Sequence, residues 1–74
     1  MEVQIKLFAT LRQGRFKTET RELPVGTQVQ KVLEKLSLQP QEVAILLVNG
    51  QVVQEHHVLK AGDTVAIFPP VDGG

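Results

Sequence analysis

Val3, Ile5 and Leu7 alternate with Glu2, Gln4 and Lys6 at the start of the chain. Period-two alternation is what a strand with one buried face requires, and it predicts a half-buried strand here. "ATLRQGR", Ala9 to Arg15, carries a glycine among polar residues and reads as a connection. Phe16 to Leu23 reads as a second, more polar strand paired with the first as a hairpin. Pro24 has no N–H to give a ladder and Gly26 tolerates positive φ, so the strand breaks there. The period then changes. Val29, Val32, Leu33 and Leu36 recur at helical spacing, while Gln30, Lys31, Glu34 and Lys35 take the wet side. Thr27 is the expected N-cap, and Gln30 completes a T-x-x-Q capping box. Ser37 falls at the helix end, and Pro40 lies just beyond it.

"VAILLV", Val43 to Val48, is an unbroken apolar run that stops at Asn49-Gly50. Both of those residues accept the positive φ of a type I′ turn, so a hairpin is predicted, with Val52 and Val53 starting the return. "EHHVLKAGD" reads as a loop or a short turn of helix, punctuated by Gly62-Asp63. Thr64 to Phe68 is the last strand, ended by Pro69-Pro70. The order is strand, strand, helix, then two or three strands. That predicts an α+β domain in which one main helix packs on one face of a mixed four- to five-stranded sheet. The helical crossover allows the first and last strands to lie parallel at the centre. This arrangement is the ubiquitin-like β-grasp. Residues 1–68 form that domain in this reading, and residues 69–74 an extended C-terminal tail ending in Gly-Gly.

One helix covers only one face of a sheet. If Ala44, Leu46 and Val48 face the helix, Ile45 and Leu47 face water. Val65 and Ile67 fit the core, which turns Phe68 outward. Ile45, Leu47 and Phe68 are therefore expected to form an apolar patch beside the exit of the tail, and patches of this kind mark binding surfaces. Loops folded over these residues would cover the patch, and a register shifted by one residue would reverse the assignment.

Charge and composition narrow the chemistry. Eight basic residues balance eight acidic ones and the signs are mixed along the chain, so no electrostatic footprint for nucleic acid or an anionic membrane is expected. No apolar stretch approaches the roughly 20 residues of a membrane span. The chain opens directly on a strand-like pattern, so no signal peptide is expected and a cytoplasmic location follows. The absence of cysteine excludes disulfides, thiolate metal sites and a cysteine nucleophile. His56 and His57 are adjacent, which points them apart on a strand or a helix, and a surface turn is the expected setting. No triad, phosphate-cradling glycine loop or metal cluster is visible. The chain is not expected to catalyse anything alone, nor to bind a cofactor.

The end of the chain, "FPPVDGG", offers chemistry of another kind. Pro69 and Pro70 favour extended polyproline geometry and send the chain away in a set direction. Residues 69 to 74 span at most about 20 Å. Gly73 and Gly74 lack side chains and can thread a channel too narrow for any other residue. A carboxylate is ionised at neutral pH and is a poor electrophile. A partner using ATP would turn it into an acyl-adenylate, after which a sulfur donor gives a thiocarboxylate and an amine gives an amide link to another protein. The tail alone does not separate these uses.

"LFATLR", "LPVGTQVQKVLEKL", "VNGQVV" and "AGDTVAIFPPVDGG" together resemble the MoaD-like sulfur carriers, the small subunits of molybdopterin synthase. The resemblance spans nearly the whole chain. Its most specific part is Gly62, Asp63, Val65, Ala66, Phe68, Pro69, Pro70, Val71, Gly73 and Gly74. It implies that an adenylating enzyme of the ubiquitin-activating type uses ATP on Gly74, and that a sulfur donor then leaves a thiocarboxylate. The tail would enter a pocket of the molybdopterin synthase large subunit, where that sulfur builds the dithiolene of molybdopterin. Gly73 would supply clearance, while Phe68, Ile45, Leu47, Pro69, Pro70 and Val71 would meet the partners. Thiamine-pathway carriers share the fold and the Gly-Gly end but look less like the Phe-Pro-Pro step. A ubiquitin-like modifier conjugated through Gly74 and a non-covalent binding module with a passive tail are the remaining alternatives. The segment between the helix and the third strand is short for the family. Ala61 stands where an aspartate is common, and Asp72 where a small residue is usual.

Overall fold

The computed structural model describes residues 1–71. Among these residues five strands and one α-helix follow in the order β1 (Glu2–Leu7), β2 (Thr18–Glu22), α1 (Val29–Lys35), β3 (Ile45–Val48), β4 (Gln51–Val52) and β5 (Thr64–Phe68). The sheet order is β2-β1-β5-β3-β4. β1 and β5 run parallel at its heart, with Ile5 opposite Val65 and Leu7 opposite Ile67, and every other pairing is antiparallel. This is the mixed five-stranded β-grasp sheet, with α1 across one face.

The inward positions are those the alternation selects. Val3, Ile5 and Leu7 of β1 and Val65 and Ile67 of β5 are buried, and Leu46 and Val48 join them from β3. Val29, Val32, Leu33 and Leu36 close over them from α1, with Leu11, Leu23, Leu38 and Leu59 sealing the margins. Each such side chain contributes about 1.5–3 kcal/mol by leaving water, the main resource a domain of this size has.

Three local readings need correction. The second strand is shorter than Phe16 to Leu23: it runs from Thr18 to Glu22, with Phe16 packed against the core before it and Leu23 buried after it. Ala44 does not face the helix. It is exposed and lies before β3, while the larger Val43 packs against the core. The pleat imposes alternation only within the ladder, so upstream of Ile45 the bulkier side chain takes the apolar site.

The third correction concerns the start of α1. Gln28, not Thr27, holds the N-cap position, and among the described residues no side chain caps the helix. The Thr27 hydroxyl donates to the Pro24 carbonyl at 2.6 Å instead. The first free N–H groups are satisfied from a distant segment. Val29 N–H donates to the His57 carbonyl at 3.0 Å and Gln30 N–H to the Glu55 carbonyl at 2.7 Å. The loop before β5 therefore docks on the helix and does the work a capping side chain would otherwise do. His56 is exposed and His57 half-buried in that turn.

Candidate functional site

The face of the sheet opposite α1 is divided in two. Residues directly opposite one another in a ladder share a face, so the outward set can be read from the register. On β1 and β2 it is polar: Gln4 stands opposite Thr20 and Lys6 opposite Thr18. On β3, β4 and β5 it is apolar: Ile45 stands opposite Phe68, and Leu47 lies between Ala66 and Val52. Ile45 is 46% exposed and Val52 77%, whereas Leu47 and Phe68 are half-buried by their neighbours.

The apolar half ends in an aromatic stack. β1 continues past Leu7 to Phe8, whose ring lies on that of Phe68 with centroids 4.2 Å apart. The Arg12 guanidinium sits over the Phe8 ring at 5.5 Å from its centroid and is held there by its Nε–H donating to the Leu7 carbonyl at 2.8 Å. The patch thus has a fixed cation at its margin, a contact worth about 0.5–1 kcal/mol at an exposed site.

The tail begins at this stack. Ala44 N–H, just ahead of β3, donates to the Phe68 carbonyl at 2.8 Å. Pro69 is half-buried, Pro70 is exposed, and Val71 is 92% exposed. Pro69, Pro70 and Val71 form one wall of a groove whose other wall includes Leu11, Arg15 and Glu42. Gly73 and Gly74, the residues expected to react, lie outside the described residues.

The ThiS family profile matches residues 5–74, almost the whole chain. This chain belongs to the ThiS family. Among solved structures it is similar to a putative molybdopterin converting factor, subunit 1, from Pyrococcus furiosus, with 32% identity over 96% of this chain and 99% of that one and a TM-score of 0.77. It is likewise similar to SAMP1, the small archaeal modifier protein 1 of Haloferax volcanii. There the identity is 27%, both chains are covered in full and the TM-score is 0.79. A complex of subunits 1 and 2 of the molybdopterin-converting factor from Helicobacter pylori shares the fold, at 19% identity, full coverage of both chains and a TM-score of 0.68. No curated protein matches the chain.

Within this ThiS-family chain, the structure brings Ile45, Leu47 and Phe68 together on one face, while Pro69, Pro70 and Val71 line the groove with Leu11, Arg15 and Glu42. Phe8, Val52 and Arg12 belong to the same surface, although periodicity alone did not assign them to it. Phe8 was accessible to reasoning: with Leu7 inward and β1 parallel to β5, its outward ring must meet Phe68. Arg12 was not, because its place depends on the 3-10 turn at Ala9–Arg12. That turn begins with Ala9 at a φ of +52°. Among the described residues no group of three or more histidines and acids is placed to hold a metal ion, and no helix is long and apolar enough to cross a membrane.

Proposed function

We propose that this chain is a cytoplasmic sulfur carrier for molybdopterin biosynthesis that works through the carboxyl group of Gly74. The observation that carries the reading is the apolar outer face converging on Phe68 at the root of the tail. Its geometry suits a partner that grips the sheet and draws the tail into its own centre. Membership of the ThiS family and the similarity to the Pyrococcus molybdopterin converting factor subunit 1 support it. The Helicobacter complex of subunits 1 and 2 supports a large subunit as the acceptor.

In this cycle an adenylating enzyme brings Gly74 to ATP. A carboxylate oxygen attacks the α-phosphorus, pyrophosphate leaves, and an acyl-adenylate forms. A hydrosulfide equivalent from a sulfur donor then attacks the acyl carbon and AMP departs with the bonding electrons, leaving a thiocarboxylate. Gly73 and Gly74 give the clearance that both active centres need. The body supplies no reacting group; Phe68, Phe8, Ile45 and Leu47 supply apolar contact, and Arg12 offers a fixed charge at the margin.

The test is a mass measurement. Incubation with an adenylating enzyme, ATP and sulfide should raise the intact mass by the difference between sulfur and oxygen. A chain lacking Gly73 and Gly74 should melt at the same temperature and gain nothing. Failure to gain sulfur with any such enzyme would overturn the proposal. Sulfur passed on to a cyclic pterin precursor in the presence of a large subunit marks the molybdopterin pathway, and transfer into a thiazole marks the thiamine one. Similarity to SAMP1 over both full lengths favours a second reading, a modifier linked from Gly74 to lysines. Gly-Gly remnants on lysines of other proteins would establish it.

A further inference from the structure

β2 stands at the end of the sheet order, so among the described residues one of its sides meets no other strand. Its bonds on the other side fix which groups are free. Leu7 N–H donates to the Lys17 carbonyl at 2.9 Å, and Leu23 N–H to the Met1 carbonyl at 2.8 Å. Main-chain groups of successive strand residues point to alternate sides. Residues 17, 19, 21 and 23 therefore bond toward β1, while Thr18, Thr20 and Glu22 present their N–H and C=O groups outward. Such an edge is a template for another strand.

We infer that this edge pairs with β2 of a second copy of the chain, antiparallel, about a two-fold axis at Thr20. Bonded pairs across the axis must join residues that both point outward, so even-numbered residues meet even-numbered ones. The register centred on Thr20 engages all of "TETRE". Thr20 faces Thr20 of the second copy, Thr18 faces Glu22, and Glu19 faces Arg21. Moving the axis by one residue sets Glu19 against Glu19 or Arg21 against Arg21, like charges in direct opposition. Hydrogen-bond parity admits the axes at Glu19, Thr20 and Arg21, and charge then selects the one at Thr20.

The local geometry prepares that pairing. Arg21 Nε–H donates to Glu19 Oε2 at 2.6 Å within one copy, and the Arg21 guanidinium rests over Phe16, 5.7 Å from the ring centroid. Across the axis each Arg21 meets the opposing Glu19 as well, which closes a ring of four alternating charges. An edge built to repel would carry one sign or a proline; this one carries both signs in an order that its own reversal matches. The axis stands perpendicular to the sheet, so the interface is isologous and closed. β1 separates β2 from β5, and both tails and both apolar faces stay free. One five-residue strand buries little surface, so the dimer is weak and exchanges.

Sedimentation equilibrium over rising concentration should show a monomer–dimer equilibrium. Thr20→Pro should abolish it, since it deletes the central outward N–H and no bond to β1. Glu19→Arg and Arg21→Glu should each weaken association about tenfold by placing like charges opposite in both symmetry-related pairs. The double variant Glu19→Arg/Arg21→Glu should recover it, because the swapped charges are again complementary. Phe68→Asp should leave association unchanged, and melting curves should verify the fold of each variant. Should Thr20→Pro fail to fold, the charge-swap series decides alone. A monomer at every concentration, association lost in Phe68→Asp, or a double variant that stays weak would overturn the proposal.

Discussion

The rings of Phe8 and Phe68 lie stacked, their planes 12° apart, although sixty residues separate them in the chain. The parallel register of β1 and β5 causes this. Leu7 and Ile67 pair inward, so the next residue on each strand emerges beside the other on the outer face. A double-mutant cycle with Phe8→Ala and Phe68→Ala, read by chemical denaturation, should give a coupling of about 0.5–1.5 kcal/mol.

The same relationship separates binding from stability. Phe68→Asp should abolish capture of a partner on the apolar face while costing no more than about 2 kcal/mol, because the ring is only half-buried. Ile67→Ala, one residue away and fully buried, should cost about 2–5 kcal/mol. Equal losses at the two sites would contradict the register.

At the start of α1, Thr27→Ala should cost less than about 0.5 kcal/mol, since its hydroxyl caps no helical N–H. A true N-cap would cost about 1 kcal/mol. Leu59→Ala should be far more damaging and should speed hydrogen exchange at Val29 and Gln30. Leu59 is buried and its N–H donates to the Thr27 carbonyl at 2.8 Å, so it anchors the loop that caps the helix.

α1 ends in a left-handed residue that is not glycine. Ser37 has a φ of +59°, with its N–H donating to Glu34 and that of Leu38 to Leu33, the two bonds of a Schellman cap. Ser37→Gly should raise stability by up to about 1 kcal/mol by relieving the strain at Cβ, partly offset by the added freedom of the unfolded chain. Ser37→Val should lower it. Thermal melts decide both.

Asn49 does more than turn the hairpin. Its Nδ2–H donates to Asp63 Oδ1 at 2.9 Å, and its Oδ1 accepts from Thr64 N–H at 3.0 Å. Asp63 is buried and its Oδ2 accepts from Lys60 N–H at 2.8 Å. Asp63→Ala leaves these donors unpaired and should cost about 1–3 kcal/mol in equilibrium unfolding. Asn49→Gly keeps the positive φ of +52° and isolates the side-chain share of that loss.

Much of this was legible in the chain. Alternation in Glu2–Leu7 and Thr64–Phe68, the helical repeat from Val29 to Leu36 and the Asn49-Gly50 turn report local geometry, and local geometry is where side-chain period is decided. The apolar patch followed for the same reason, because a strand buried on one face shows its other residues on the opposite face. The misplaced residues were those whose neighbours come from elsewhere. Thr27 looked like a cap because cap motifs are local, yet the carbonyls of Glu55 and His57 reached the helix first and need no side chain to do so. Asp63 read as turn punctuation, while its carboxylate, just ahead of β5, accepts from Asn49 in the turn of the β3–β4 hairpin.

The sequence by itself determined which residues are buried within each strand and helix, the order of the elements and an apolar end to the last strand. Only the tertiary structure decided the stack of Phe8 on Phe68, the station of Arg12, the backbone capping of α1 and the bare self-complementary edge of β2. The first group depends on periodicity along one segment. The second depends on which main-chain groups from distant segments arrive side by side, and backbone atoms leave no mark in the order of side chains.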